Sequence, residues 1–345
     1  MAFPKILSFT ITNACNLRCR MCAQWSEDGY VTTGVKPAKP SMQTDDWKRL
    51  VDEATPHGID LIIVRGGEPF LHSGIIDLLE HIRSKDIFIA VDTNGTVLEK
   101  YVDDLVRIGN MHITFSVDGP KDVHDKVRQS EGSFLKIKEN VRRLLDAEQR
   151  HDTTLSKGIC CTVSRYNYQS IGDMPDVARE LGIDTVNLVP YYYVPAATGA
   201  RYEQQLRDNF GSNAFSWRGF HHEDSGVDLE IFEAAFAKYL HELRDIRNDT
   251  FLPFKSRDYL TWFKDSEIPV GAENCWNIER LMDIQPDGAA NFCIDFPDYS
   301  PGNVMQSSIA ELWNSKRAAK FRDYRRAQPF AVCGRCGAKY CSMPR

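Results

Sequence analysis

Short apolar runs alternate with amphipathic stretches along most of the chain. Residues 6–12 read as a strand, and residues 61–64 form a continuous apolar run of the kind a parallel strand covered on both faces shows. Residues 87–91, 113–117, 158–163 and 185–189 repeat that signal. Between the runs, apolar residues recur at helical spacing. Trp47, Leu50, Val51 and Ala54 do so behind Thr44, with Asp45 and Asp46 in the first turn, and residues 75–84, 101–108, 134–148 and 174–181 follow suit. Six β–α units in succession predict an α/β fold: a parallel sheet with outer helices, short of the eight units of a closed barrel. The expected architecture is a partial (β/α)6 TIM-like barrel, open on one side, with its chemistry on the loops after the strands. Beyond Pro190 the pattern breaks. Residues 191–227 read as a long connection without periodicity, often a functional feature, and a helix is expected over 229–244. A boundary near residues 271–274 divides the barrel, 1–270, from a small C-terminal domain, 271–345. In that domain residues 280–284 and 289–293 flank Pro286-Asp287-Gly288, a hairpin signal, and a helix is expected over 308–322.

Composition narrows the classes. At 345 residues and a formal charge of −6, the chain lacks the basic excess of a dedicated nucleic-acid binder, and none is expected as a partner. No apolar run approaches the roughly 18 residues of a membrane span. No signal-peptide layout opens the chain, so a cytoplasmic location is expected.

The 10 cysteines change the picture most. In a chain of this kind they do not suggest a disulfide framework. Cys15, Cys19 and Cys22 form a C-x3-C-x2-C run directly after the first strand. Three thiolates on one tight loop can hold three corners of a cubane iron–sulfur cluster and leave one iron open, whereas a structural zinc site wants four ligands. Gly66-Gly67-Glu68-Pro69 follows the second strand. Two glycines permit close backbone approach, and the Glu68 carboxylate with nearby carbonyls can receive an ammonium group. By itself the segment is an ordinary strand-end turn.

With these two motifs the chain resembles the radical S-adenosylmethionine (radical SAM) enzymes over roughly residues 6–190. The resemblance implies that Cys15, Cys19 and Cys22 hold a [4Fe-4S] cluster whose open iron binds SAM. Reductive cleavage of SAM then gives a 5′-deoxyadenosyl radical that takes a hydrogen atom from the substrate. Gly66, Gly67, Glu68 and Pro69 match the SAM-amine site. Ser116 ends the fourth strand, Arg128 precedes Gly132-Ser133-Phe134, and Leu188 ends the sixth; the same resemblance makes them SAM contacts, Arg128 on the carboxylate and Leu188 over the adenine. Met21 stands where the family usually has an aromatic residue.

Cys275 and Cys293 bracket the predicted hairpin, and Cys333 and Cys336 form a C-x2-C pair. Four-cysteine zinc ribbons use the same layout. It is also similar to the auxiliary-cluster extensions called SPASM and twitch domains, and four ligands suit the single-cluster twitch form. That resemblance implies a second, auxiliary [4Fe-4S] cluster on Cys275, Cys293, Cys333 and Cys336. Cys341 is then spare, an alternative to Cys336, or a thiol near the substrate. Cys160 and Cys161 adjoin on the fifth strand, so one faces the barrel interior, as a buried small hydrophobe or a hydrogen-atom donor.

Spacing close to that of twitch-type aminoglycoside dehydrogenases implies a two-electron oxidation of a small molecule in specialised metabolism. The alternatives are maturation of a ribosomally made peptide, by oxidation, cross-linking or epimerisation, and an iron–sulfur or zinc protein that does not turn over SAM. Tyr191, Arg201, His221, His222, Lys255 and Arg257 are the candidate bases, none within a motif. The basic run from Lys316 to Arg326 is a solvated helix face or a docking patch for a flavodoxin or ferredoxin reductant.

Overall fold

A computed structural model describes residues 2–36, 41–248, 252–271 and 274–343. Strands β1 (Ile6–Thr10), β2 (Leu61–Arg65), β3 (Phe88–Thr93), β4 (Met111–Ser116), β5 (Ser156–Val163) and β6 (Val186–Pro190) pair in parallel in chain order. Helices α1 (Thr44–Ala54), α2 (Ile75–Ser84), α3 (Val102–Ile108), α4 (Lys121–Arg128), α5 (Ser133–His151) and α6 (Met174–Leu181) fill the crossovers. The expected partial barrel is therefore present. Its free β1 edge is not left open: β7 (Leu281–Ile284) pairs parallel to β1, and β8 (Ala290–Asn291) pairs antiparallel to β7. The sheet thus runs β6-β5-β4-β3-β2-β1-β7-β8. The predicted hairpin is the device that extends it.

Alternation assigns the two faces. Leu7, Phe9, Ile62, Val64, Ile89, Val91, Ile113, Phe115, Ile159, Cys161, Val186 and Leu188 join helix residues such as Trp47, Leu78 and Val141 in one buried core. The intervening residues form the inner face. Its lower part is a small apolar patch of Ile6, Leu281 and Ile294, with Leu61, Ile63 and Cys341 against it. Ser8, Arg65, Asp92, Thr114, Ser116, Cys160 and Asn187 stand on the same side higher up. Cys160 is thus the inward member of its pair, and Cys161 is core.

Two readings are corrected. The stretch read as an unpatterned connection holds α7 (Ala196–Phe210), ending at Gly211 in the left-handed region with φ of 62°. Its buried stripe is only Thr198, Gly199, Tyr202 and Leu206, too narrow and too polar to register as amphipathic. A Cβ on Gly199 would stand 2.3 Å from the Trp217 ring, so this glycine seats that indole. The single helix expected over 308–322 is two, α11 (Ile309–Trp313) and α12 (Lys316–Ala327). Ser315 breaks it, because its hydroxyl accepts from the Ala318 amide and starts a new helix. Between these lie α8 (Leu229–Glu242), α9 (Ser256–Lys264) and α10 (Asn277–Arg280).

Candidate active site

The cysteine loop leaves β1 at the carboxyl end of the sheet and lies against the turn after β2. The Gly67 amide donates to Thr12 O and the Glu68 amide to Ala14 O, both at 2.8 Å. A Cβ on Gly66 would stand 2.6 Å from Thr12 O, and one on Gly67 2.3 Å from Ala14 O. The glycine pair lets the two loops touch. Other ties fix the cysteine loop. Asn94 Nδ2 donates to Asn16 Oδ1 and Asn16 Nδ2 to Thr96 Oγ1, each at 2.9 Å, and the Arg20 amide donates to Val127 O at 2.9 Å.

Each of the three sulfurs has an N–H aimed at it. The Leu17 amide is 3.5 Å from Cys15 Sγ, Arg128 Nη1 is 3.6 Å from Cys19 Sγ, and the Trp25 amide is 3.4 Å from Cys22 Sγ. Unligated, the Cys19 thiol is pushed up to about 12 by burial, against the pull of Arg128. Burial in that place favours a thiol over a free thiolate; a metal cluster removes the conflict by taking the charge. Donors trained on three sulfurs suit a cluster-bound thiolate set.

Glu68 is wholly buried, and its carboxylate accepts from Thr93 Oγ1 (2.8 Å), the Asn94 amide (2.8 Å) and the Phe70 amide (3.2 Å). It ties the β2 turn to the end of β3. Desolvation raises its pKa to about 7 against those three donors. Pro69 opens the short turn that follows and is buried. Arg128, at the end of α4, puts Nε 2.6 Å from Asp118 Oδ2. Ser116 pairs with Cys160 on the inner face. Leu188 stands apart: it pairs with Cys161 and packs on the helix side, and its carbonyl accepts from Tyr259 Oη at 2.8 Å.

Inside the barrel is a polar group that no motif announced. Arg65 Nη2 is 3.9 Å from Asp295 Oδ1, and Tyr192 Oη donates to Asp295 Oδ2 at 3.0 Å while accepting from the Ala338 amide at 3.0 Å. Asp283 accepts from Ser8 Oγ at 2.7 Å and Gln285 Nε2 at 2.6 Å. Strand parity alone would have turned Arg65 inward. Tyr192 and Asp295 lie in loops whose course only the fold defines.

Cys275, Cys293, Cys333 and Cys336 are brought together, each within the electrostatic reach of others of the set. Arg325 and Lys339, both buried, face them. Among the described residues no three His, Cys, Asp or Glu side chains stand close enough for a single metal ion. A cubane puts each thiolate on its own iron and so spreads them wider. Cys341 lies elsewhere, on the inner-face patch, where Asp295, Arg65 and Asp92 are its charged neighbours and the Cys160 thiol is near.

None of the six candidate bases joins the inner group. Tyr191 Oη donates to Ser225 O at 2.7 Å, Arg201 pairs with Glu267, His221 with Glu223, and the His222 ring lies tilted against Tyr191, centroids 6.0 Å apart. Lys255 and Arg257 are exposed on α9 and its cap. The basic run on α12 is largely committed too. Arg322 lies over Trp313 at 4.0 Å, Arg326 pairs with Glu279, Arg317 donates to Ser300 O, and Arg325 is buried.

The profile of the radical SAM superfamily matches residues 9–174, and that of the SPASM iron–sulfur cluster-binding domain matches residues 275–337. The chain belongs to the radical SAM superfamily. It is 26% identical to an AdoMet-dependent heme synthase of Methanosarcina barkeri over 97% of this chain and 88% of that one. It is 23% identical to the antilisterial bacteriocin subtilosin biosynthesis protein AlbA of Bacillus subtilis, over 98% and 67%. Among solved structures, Streptococcus suis SuiB superposes with a TM-score of 0.65 at 15% identity, over 97% of this chain and 72% of SuiB. The AdoMet-bound anSMEcpe gives 0.63 at 15%, over 97% and 94%. This radical SAM enzyme therefore carries a SAM-binding [4Fe-4S] cluster and an auxiliary iron–sulfur domain. No described helix is long and apolar enough to cross a membrane.

Proposed function

We propose that this enzyme carries out a two-electron oxidation of a small molecule held on the inner face of the barrel. In this reading Cys15, Cys19 and Cys22 ligate the SAM-binding cluster, and Gly66, Gly67, Glu68, Pro69, Ser116 and Arg128 form the SAM site, which Leu188 backs from the helix side. Cys275, Cys293, Cys333 and Cys336 ligate one auxiliary cluster, in a unit of residues 271–345 set against a barrel of residues 1–270. When bound, these groups would supply hydrogen-atom abstraction and electron uptake. The chain's own residues do the rest. The glycine turn and Glu68 hold the cysteine loop over the sheet, and Arg65, Tyr192 and Asp295 bind and orient polar groups of the substrate. Ile294 and Cys341 cover the inner face from the C-terminal side and exclude water there. The reductant is a flavodoxin or ferredoxin, and the compartment is the cytoplasm.

The observation that carries the reading is the Asp295–Tyr192–Ala338 chain, which joins the inner face to the segment bearing the second cysteine set. Peptide maturation is the second reading, favoured by the likeness to AlbA and to the peptide-bound SuiB structure. Incubation with SAM, reductant and a metabolite extract tests the first. It predicts 5′-deoxyadenosine and a product two hydrogens lighter than its substrate, with no solvent deuterium on carbon. A product of the substrate's own mass in ordinary water, heavier by a single deuterium when the reaction is run in deuterium oxide, would mean epimerisation instead.

A further inference from the structure

Among the described residues, Arg128 is the one charged side chain of the donors aimed at the three N-terminal sulfurs; the other two are backbone amides. It is buried, and its backbone is pinned to the cysteine loop by the bond from the Arg20 amide to Val127 O. Its guanidinium is shared. Nη1 reaches Cys19 Sγ at 3.6 Å, and Nε lies 2.6 Å from Asp118 Oδ2. Asp118 is fully buried and held in turn: Oδ1 accepts from the Thr162 amide at 3.0 Å, and its own amide donates to His124 Nδ1 at 3.3 Å. Four elements thus converge on one charge-assisted contact to a ligand sulfur.

Hydrogen bonds to cluster sulfurs and nearby positive charge favour the reduced, electron-richer cluster and so raise its reduction potential. A carboxylate beside the cation offsets it. We propose that Arg128 is a positioning residue that raises the reduction potential of the N-terminal cluster through Cys19, and that Asp118 sets how much of its charge the cluster feels. The pair acts as a balance with opposite arms. This rests on the assignment of Cys15, Cys19 and Cys22 as ligands, which the cluster's EPR signal in unmutated protein tests first.

The experiment is a redox titration of the reconstituted, SAM-free enzyme, followed by the EPR signal of the reduced N-terminal cluster in a background where Cys333 and Cys336 are alanine. Arg128→Gln is expected to shift the midpoint to more negative potential and Asp118→Asn to less negative potential, with Arg128→Lys between Gln and wild type. A merely structural role would move both variants the same way or not at all, and either result would overturn the proposal. If Arg128→Gln fails to hold a cluster, Asp118→Asn decides: a less negative midpoint supports the balance, and an unchanged or more negative one ends it. A missing signal in the parent protein would strike instead at the ligand assignment.

Discussion

At the scale of single residues, the site is a set of buried polar groups whose partners fix their protonation. His124 is fully buried, and its Nδ1 accepts from the Asp118 amide, so the ring must be neutral. Burial, with the Arg128 charge second, pushes it down to about 3 from an ordinary 6.5. Between those values the unfolded chain binds the proton and the folded chain does not. Stability is therefore present above the upper value and is lost as the pH falls, by up to about 1.4 kcal/mol per pH unit. His124→Asn keeps an acceptor but does not titrate. Denaturant midpoints of the cluster-free protein, compared near neutrality and near pH 5, should show the wild type losing more than the variant; equal losses would contradict the assignment. Glu68→Gln tests the neighbouring clamp. An amide NH2 would face the Asn94 amide or the Thr93 hydroxyl, at a cost of about 1–3 kcal/mol in unfolding free energy. SAM affinity, measured by equilibrium dialysis, should fall with it.

At the scale of elements, legibility followed periodicity. Residues 75–84 and 174–181 read as helices because Ile75, Leu78, Leu79 and Ile82, and Met174, Val177, Ala178 and Leu181, keep a strict apolar stripe. Helix α7 escaped because its buried positions include a threonine and a glycine. The cysteine loop was legible from spacing, and so was the glycine turn, though not its physical reason. The sequence suggests glycines that let a ligand approach; in the fold they let the cysteine loop approach. Gly67→Ala therefore places a methyl 2.3 Å from a backbone oxygen that cannot rotate away. It should displace the loop and lower the iron retained after reconstitution, with a stability loss of about 1–3 kcal/mol. Retention of full iron content and SAM binding would show that the loops can part. Arg65, Tyr192 and Asp295 were invisible beforehand because their meeting depends on the placement of three separate chain segments.

At the scale of the whole molecule, the C-terminal segment completes the barrel as well as carrying cysteines. Strand β7 extends the sheet beyond β1, Ile294 and Cys341 pack on its inner face, and Asn277 Nδ2 donates to Ala338 O at 2.9 Å within the returning tail. Tyr192 joins the two parts by one hydroxyl. Tyr192→Phe leaves the Ala338 amide without its acceptor and Asp295 Oδ2 without its donor, and should cost about 1–3 kcal/mol. If the proposed substrate site is right, substrate-dependent turnover should fall more than SAM cleavage without substrate does; equal losses would argue that Tyr192 serves the fold alone. The division of labour between the two cysteine sets is the claim on which the rest depends. Its most direct measurement is the iron content of anaerobically reconstituted protein, with Mössbauer spectra, for the wild type and two variants. Two cubanes predict about eight irons in the wild type. About four should remain when Cys15, Cys19 and Cys22 are alanine, and about four when Cys275, Cys293, Cys333 and Cys336 are. SAM should perturb the spectrum only where the first set is intact. Undiminished iron in the first variant, or a SAM-induced change that survives there, would contradict the account.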